Sequence, residues 1–310
     1  MRNIAFIRTP LQAWIFDTVL ELEALNSLTV IYYTTHNSYE DQHAFASLKS
    51  RCDSAYYFYI SPGLSSFIHN IKLKKKLDSL ELDFFECAFI ASVDIFVFRS
   101  FILKKCKKVR TFDDGSANVI PSSMYYTERK SLRYKFFCYF FSAGKKLDFI
   151  KKSELHYTLY EGCGNILDDS KLKYLSCAFN RSESSEIVEN KPVLNLFIGQ
   201  PFHVWHDKKQ LLLLKSHFSI FNFDFYLIHP QESCPLFKGV NIFDKKGFIA
   251  EQAILQLAKD YDVHLYGCMS TVMINLKDLV NINIVLVRGA LHFDTSCTLL
   301  KKLDIDYRVL

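Results

Sequence analysis

Short apolar runs alternate with amphipathic stretches from the first residues onward. The run Asn3–Ile7 predicts a strand, which a turn at Thr9-Pro10 ends. A helical pattern follows over Leu11–Leu25, and a second strand is predicted at Leu28–Tyr33. Two strands with a helix between them, joined by short turns, are typical of a parallel sheet covered by helices. The sequence therefore predicts an α/β fold.

The same alternation continues along most of the chain. Further strands are predicted at Ser54–Ile60, Cys87–Ala91, Lys108–Phe112, Val193–Ile198, Asp224–His229, Val263–Tyr266 and Asn283–Val287. Further helices are predicted near Asp41–Lys49, Ser65–Leu77, Asp94–Lys104, Lys208–Phe218, Ile249–Asp260 and Thr295–Leu303, and from Ser270 onward. The polar segment NRSESSEIVENKP, residues 180–192, is the best linker in the chain. We therefore expect two Rossmann-like domains, residues 1–185 and 192–310, that face a cleft.

Composition agrees with two globular domains and excludes several classes of protein. A chain of 310 residues exceeds what one core usually supports. Its nine cysteines form no CxxC pair, so we expect reduced thiols in a cytoplasmic protein and no metal site. A net charge of +5 is too small to indicate nucleic acid. We expect neither a signal peptide nor a membrane-spanning helix, because Glu86 and Asp94 interrupt the longest apolar stretch, Phe84–Phe98.

One basic and aromatic segment suggests a surface partner. Residues 129–152 hold eight basic residues and one acid, interleaved with six aromatic residues from Tyr134 to Phe141. Such a mixture suits an anionic membrane surface, here the inner face of the cytoplasmic membrane. The plainer alternative is an amphipathic helix with its aromatic side in the core and its lysines in water.

Polar residues follow several predicted strands, where open α/β sheets bind their ligands. Asp113 and Asp114 end one strand and could act as a base, bind a metal or form a turn. The loop GQPFHVWHD, residues 199–207, carries His203, His206 and Asp207, a weak metal pattern.

Two more such loops lie in the predicted second domain. His229-Pro230 ends a hydrophobic strand, where the histidine is either functional or structural. Ser270-Thr271 opens a helix, where hydroxyl and N–H groups bind an anion or merely cap the helix. The motifs of P-loop NTPases, classical dehydrogenases, α/β-hydrolases and zincins are absent from the sequence.

Taken together, these segments resemble glycosyltransferase family 52, the bacterial lipooligosaccharide sialyltransferases. RTFDDGSANVIPSSMYY (110–126) is similar to the FDDG block of that family, and HYTLYEGCGNILDD (156–169) to another characteristic stretch. His229-Pro230 and Ser270-Thr271 resemble the HP and Ser/Thr motifs of several bacterial sialyltransferase families.

The resemblance implies a GT-B-type fold and a metal-independent, inverting transfer of sialic acid from CMP-sialic acid to a galactose-terminated surface glycan, in α-2,3 linkage. The N-terminal domain would take the acceptor and the C-terminal domain the nucleotide donor. His229 would assist departure of the donor phosphate, and Ser270 and Thr271 would hold that phosphate. Glu251 would bind the ribose hydroxyls. The donor set would also include Gly199, Gln200 and Pro230, with no cofactor.

The general base is where the chain departs from the family. The family carries an acidic base directly after a Gly-x-Pro turn, and here Phe202 follows Pro201. Asp113 or Asp114, then Asp207, and last His203 are the candidates, because an acceptor hydroxyl needs a base at neutral pH. A transferase for another nucleotide sugar and a non-catalytic binding protein are the alternatives, and a homodimer is left open.

Overall fold

A computed structural model describes residues 2–25, 27–176, 191–232 and 234–310. The chain divides into two compact units, Met1–Ala178 and Phe179–Leu310, called unit 1 and unit 2 below. The predicted linker lies almost wholly outside the described residues. No helix of the described residues has the length and apolar character needed to cross a membrane.

Unit 1 is a parallel sheet of seven strands with helices between them. Its strands are β1 Asn3–Ile7, β2 Leu28–Thr34, β3 Ser54–Tyr59, β4 Phe85–Ile90, β5 Cys106–Phe112, β6 Leu155–Thr158 and β7 Leu172–Tyr174. Its helices are α1 Pro10–Glu23, α2 Tyr39–Lys49, α3 Ser66–Asp78, α4 Phe96–Lys105, α5 Leu132–Phe140 and α6 Lys146–Lys151.

The strand order in unit 1 creates a crevice between β1 and β4. The order is β3-β2-β1-β4-β5-β6-β7, with all pairs parallel. Since the chain order reverses between β1 and β4, their carboxyl ends form the switch point at which such sheets bind ligands. Thr9 caps α1 just there, with its hydroxyl accepting from the backbone N–H of Gln12.

Unit 2 is a smaller sheet of the same kind. Its strands are β8 Val193–Ile198, β9 Phe225–Leu227, β10 Asp262–Gly267, β11 Asn281–Leu286 and β12 Tyr307–Val309. Its helices are α7 Phe202–Trp205, α8 Lys208–Phe218, α9 Ala250–Leu257, α10 Thr271–Asn275 and α11 Phe293–Lys302. The strands are parallel in the order β12-β11-β10-β8-β9, so the switch point lies between β8 and β10.

The predicted α/β class and the predicted elements are confirmed. The strand at Asp224–His229 is shorter than expected, because β9 ends at Leu227 and leaves His229 in a loop. The sequence did not predict β6, β7 or α7. These elements have three or four residues each, too few for a clear hydrophobic period.

The basic aromatic segment folds as α5 and α6, with aromatic side chains on two faces. Tyr134, Phe137 and Phe141 are buried in the core of unit 1. Leu132, Phe136, Tyr139 and Phe140 have 83%, 51%, 86% and 50% of their surface exposed. The aromatic residues are therefore only partly core. We call these four exposed residues the α5 patch.

Candidate functional site

The two adjacent aspartates after β5 occupy different environments. Asp113 is fully buried, and His156 Nε2 lies 2.9 Å from its Oδ1. Its Oδ2 accepts from Thr158 Oγ1 at 2.8 Å and from the backbone N–H of Leu159 at 2.7 Å. With both oxygens occupied and no exposed surface, Asp113 is placed to hold β5 against β6 rather than to reach a substrate.

Asp114 lies at the carboxyl edge of the sheet and remains partly exposed. Its Oδ1 accepts from Gln12 Nε2 and its Oδ2 from Tyr125 Oη, both at 2.5 Å. Burial raises the pKa of this carboxyl, while the two hydrogen bonds oppose that rise. The residue as a whole keeps some exposed surface, and a carboxyl with a raised pKa at a strand end is suited to accept a proton.

Gln12 connects Asp114 to the switch point of unit 1. The side chain of Gln12 is fully buried on α1, and its amide also donates to Ser92 Oγ at 2.8 Å. Its Oε1 accepts from the backbone N–H of Arg8 at 2.8 Å. The ends of β1, β4 and β5 are thereby held in one hydrogen-bonded network. No sequence motif marks Gln12, because a glutamine inside a helix carries no local signal.

Gly199 and Gln200 stand at the switch point of unit 2. A Cβ on Gly199 would collide with Glu232 Oε2 and lie 2.7 Å from Tyr226 Cε1, so the position accepts only glycine without rearrangement. Gln200 is 1% exposed, and its amide donates to the carbonyls of Cys268 and Met269 at 3.0 and 2.6 Å. Its buried Oε1 has no hydrogen-bond partner among the residues that the structure describes. Gln200 thus fixes the loop that leads from β10 to Ser270.

His229 lies half-buried in the loop after β9. Its Nδ1 accepts from the backbone N–H of Gln231 at 3.1 Å. Because a backbone N–H can only donate, the neutral ring carries its proton on Nε2. Burial, together with the charge of Lys245, lowers the pKa of His229. The ring is therefore a neutral hydrogen-bond donor near pH 7.

Glu232 supports this loop and was not predicted from the sequence. Its Oε1 accepts from Tyr226 Oη at 2.5 Å and its Oε2 from the backbone N–H of His229 at 3.3 Å. Burial raises the pKa of Glu232. Glu232 joins β9, Gly199 and His229, but a single glutamate two residues after an HP pair forms no recognisable motif.

The remaining predicted donor residues lie around α9 and α10. Ser270 caps α10 by accepting from the backbone N–H of Met273 at 3.3 Å, and Thr271 is the first helical residue. Glu251 is 3% exposed near the start of α9 and accepts from Asn275 Nδ2 at 2.9 Å. Burial raises the pKa of Glu251. Pro230 follows His229 and is exposed.

The loop from Pro201 to Asp207 is mainly structural in its contacts. Phe202 is buried against Phe197, which explains an apolar residue there. Asp207 is an exposed N-cap that accepts from Gln210 N at 2.9 Å and completes a capping box on α8. His203 is exposed and His206 half-buried. Among the described residues, no group of three or more His, Cys, Asp or Glu is arranged to hold a metal ion.

Comparison with known proteins decides the family. Residues 17–291 match the model of glycosyltransferase family 52. This chain belongs to glycosyltransferase family 52. It is a glycosyltransferase, as the sequence resemblance implied.

Three curated relatives are similar over much of the chain. The chain is 22% identical to an N-acetyllactosaminide alpha-2,3-sialyltransferase of Neisseria meningitidis serogroup A, over 93% of this chain and 79% of that protein. It is 29% identical to a CMP-N-acetylneuraminate:beta-galactoside alpha-2,3-sialyltransferase of Pasteurella multocida, over 61% of this chain and 58% of that protein. It is also 29% identical to an N-acetyllactosaminide alpha-2,3-sialyltransferase of Haemophilus influenzae, over 60% and 58%. The matches thus span less than two thirds of the length of the second and third relatives.

Solved structures show the same fold at low sequence identity. The MnaA–UDP co-structure from S. aureus matches with a TM-score of 0.51 and 9% identity, over 99% of this chain and 89% of that chain. A UDP-N-acetylglucosamine 2-epimerase from Rickettsia bellii matches with a TM-score of 0.50 and 12% identity, over 94% and 80%. The predicted GT-B-type class, with two Rossmann-like units, is confirmed.

Proposed function

We propose that this enzyme transfers sialic acid from CMP-sialic acid to a terminal galactoside of a bacterial surface glycan, with inversion and in α-2,3 linkage. The observation that carries the proposal is that three family relatives are named as alpha-2,3-sialyltransferases. Unit 1 takes the acceptor and unit 2 takes the nucleotide donor. Two independent switch points with polar side chains support this division.

Asp114 is the general base in this proposal. Burial and hydrogen bonding distinguish Asp114 from Asp113, whereas the FDDG motif alone does not. The acceptor oxygen attacks the anomeric carbon of sialic acid while its proton passes to Asp114. The bond between that carbon and the phosphate oxygen breaks, and its electron pair leaves with CMP. Asp207 ranks below Asp114 because it already caps α8, and His203 stays the last candidate.

His229 stabilises the leaving CMP as a hydrogen-bond donor. Its Nε2–H can donate to a phosphate oxygen, because Nδ1 is held as an acceptor by Gln231. Ser270 and Thr271 would donate their hydroxyl protons to the same phosphate, and Gly199, whose missing side chain makes room for Glu232, would support the donor loop. A leaving group with one phosphate carries less charge than a nucleoside diphosphate, so these donors suffice without a divalent cation. The role of Glu251 at the ribose stays part of the proposal.

The function is tested by incubating the purified protein with CMP-sialic acid and a panel of galactosides in excess EDTA. We expect CMP release and an α-2,3-linked product identified by NMR, at the same rate as in added Mg²⁺. UDP-sugars serve as the control donors. Turnover only with a UDP-sugar would reject the donor, and activity that requires Mg²⁺ or Mn²⁺ would reject metal independence.

The α5 patch is proposed to lie against an anionic membrane surface. Leu132, Phe136 and Phe140 are spaced four residues apart on one side of α5, and Phe136 and Phe140 stack with ring centroids 5.8 Å apart. Arg129, Lys130 and Lys135 are exposed beside them. Exposed aromatic groups flanked by basic charge match the interface of an anionic bilayer.

Reversing the charge of Arg129, Lys130 and Lys135 to Glu should weaken binding to anionic vesicles by on the order of 100-fold, since each basic residue near such a surface contributes about 1 kcal/mol. Sedimentation with phosphatidylglycerol vesicles measures this. Lys146 is left unchanged, because its side chain is buried and donates to the carbonyls of Met124 and Thr127.

The matched control replaces three exposed lysines outside the segment, Lys238, Lys259 and Lys301, by Glu. It makes the same change in net charge and should leave vesicle binding within a few-fold of the wild type. Equal loss in both variants would mean that net charge, not the α5 patch, governs binding. Unchanged binding in both would reject the membrane contact.

A further inference from the structure

An ion pair at the switch point of unit 1 has no role in the chemistry described so far. Arg8 directly follows β1 and Asp94 follows β4 by four residues, so both lie at the crevice between these strands. The Arg8 Nη1 to Asp94 Oδ2 distance is 3.6 Å, and their side chains are 34% and 26% exposed. The separation exceeds a hydrogen bond, so both groups can still bind a hydroxyl.

The structure holds this pair in a fixed relation to the candidate base. The backbone N–H of Arg8 donates to Gln12 Oε1, and the amide of the same Gln12 donates to Asp114. Arg8 and Asp94 also act electrostatically on the Asp114 carboxyl, in opposite senses. The charges of Arg8, Asp94 and Asp114 therefore interact with one another around the buried Gln12 side chain.

A buried ring supports the guanidinium from one side. The Arg8 guanidinium carbon lies 6.0 Å from the ring centroid of Tyr33, which is 2% exposed. The Tyr33 hydroxyl is in turn hydrogen-bonded to His69 Nε2. A cation against a fixed aromatic face loses less conformational entropy when it binds a ligand. Arg8 is thus arranged in advance, which a purely surface ion pair is not.

We propose that Arg8 and Asp94 form a subsite for the uncharged acceptor sugar, with Arg8 donating to a hydroxyl oxygen and Asp94 accepting a hydroxyl proton. The inference rests on the proposed function, because it assigns the acceptor to the unit that carries Asp114. The pair sums to zero charge, so it suits a neutral polyhydroxylated ring better than a phosphorylated or carboxylated one. The hydroxyl to be sialylated would lie at Asp114, with its neighbours on the ion pair.

The test is a steady-state comparison with lactose as acceptor and CMP-sialic acid as donor. Arg8→Gln and Asp94→Asn should each raise the KM for lactose about tenfold, the order expected for one lost charge-assisted hydrogen bond. The KM for the donor should change by less than about twofold on the same scale. An unchanged KM for lactose, or an equal rise in both KM values, would overturn the subsite.

The chain offers a matched control at the other end of the same two strands. Arg2 precedes β1 and Asp83 precedes β4, and they form an exposed ion pair at 2.8 Å. Arg2→Gln and Asp83→Asn should leave both KM values unchanged. If these variants raise the KM for lactose as much as Arg8→Gln does, the effect is general to the fold and the proposal fails.

A direct binding measurement separates this inference from the proposed function. Binding of lactose to the protein is followed by ligand-observed NMR, which needs no turnover. If the wild type binds lactose but does not turn over CMP-sialic acid, the donor assignment has failed while the subsite can still be tested. Loss of lactose binding in Arg8→Gln, with the melting temperature retained, supports the subsite. Persistent binding overturns it.

Discussion

Replacing Asp114 by Asn should lower kcat by roughly 10²- to 10⁴-fold, the range for loss of a positioned base. The amide keeps the shape of the carboxylate and can still accept from Gln12 or Tyr125, so the fold should be preserved. CMP affinity, measured by calorimetry, should not change, because the donor is assigned to unit 2. A lower kcat with unchanged CMP affinity would then be attributed to the loss of proton transfer to Asp114.

Asp207→Asn is the decisive comparison, since Asp207 is the carboxylate candidate that remains beside Asp114 when the fully buried Asp113 is set aside. Asn is as good an N-cap as Asp, so the cap on α8 survives and the stability should change by only a few tenths of a kcal/mol. We expect a kcat close to that of the wild type. If Asp207→Asn loses activity and Asp114→Asn does not, the base lies in the loop after β8 and the assignment to unit 1 is wrong.

The pH profile gives a second measure of the same assignment. Burial raises the pKa of Asp114 above the ordinary value for an aspartic acid. A raised pKa means that the carboxyl takes up its proton at a higher pH, so activity should decline as pH falls through that value. Asp114→Asn should remove this acid limb from its residual activity.

The sheets were predictable because their strands are continuous apolar runs. The run Val193–Ile198 and the runs that form β1 and β2 agree with the structure to within a residue. Parallel strands that are buried on both faces form nearly continuous apolar runs without polar residues at alternate positions, so they are easy to recognise. The short strands β6 and β7 escaped prediction because four and three residues are too few for a clear hydrophobic period. Strand β6 depends on pairing with β5, and β7 on pairing with β6.

The distinction between Asp113 and Asp114 was beyond the sequence for a different reason. Asp113 is held by His156 and Thr158, which are 43 and 45 residues away along the chain. Asp114 is held by Gln12, which is 102 residues away. The side chains of adjacent residues at a strand end point to opposite faces of the sheet, but only their tertiary partners determine which face is accessible. No spacing rule within the FDDG block contains that information.

Glu232 shows the same limit in unit 2. Its role depends on Tyr226, whose hydroxyl meets the carboxylate, and on Gly199, whose missing side chain makes room for it. Each residue alone is ordinary. The HP pair could be recognised from sequence because proline and histidine are adjacent, whereas the group that holds the His229 backbone could not.

His229→Ala should lower kcat by roughly 10²-fold or more, the magnitude for a positioned donor to a developing charge. Because Nδ1 accepts from Gln231, Nε2–H is the group that is lost. Steady-state kinetics with saturating CMP-sialic acid measures the effect. The Ser270→Ala and Thr271→Ala double variant should instead weaken CMP binding, since two phosphate donors are removed.

Two further variants distinguish a neutral donor from a proton donor. His229→Gln retains an N–H donor but cannot be protonated near neutral pH, so it should recover part of the activity lost in His229→Ala. Since burial lowers the pKa of His229, the neutral ring predominates above that value, and wild-type activity should not decline as pH rises from 7 to 8. His217→Ala is the matched control, because His217 is another half-buried histidine of unit 2 whose pKa burial lowers. If His217→Ala is as slow as His229→Ala, or if His229→Ala keeps wild-type kinetics, the donor site is not in the loop after β9.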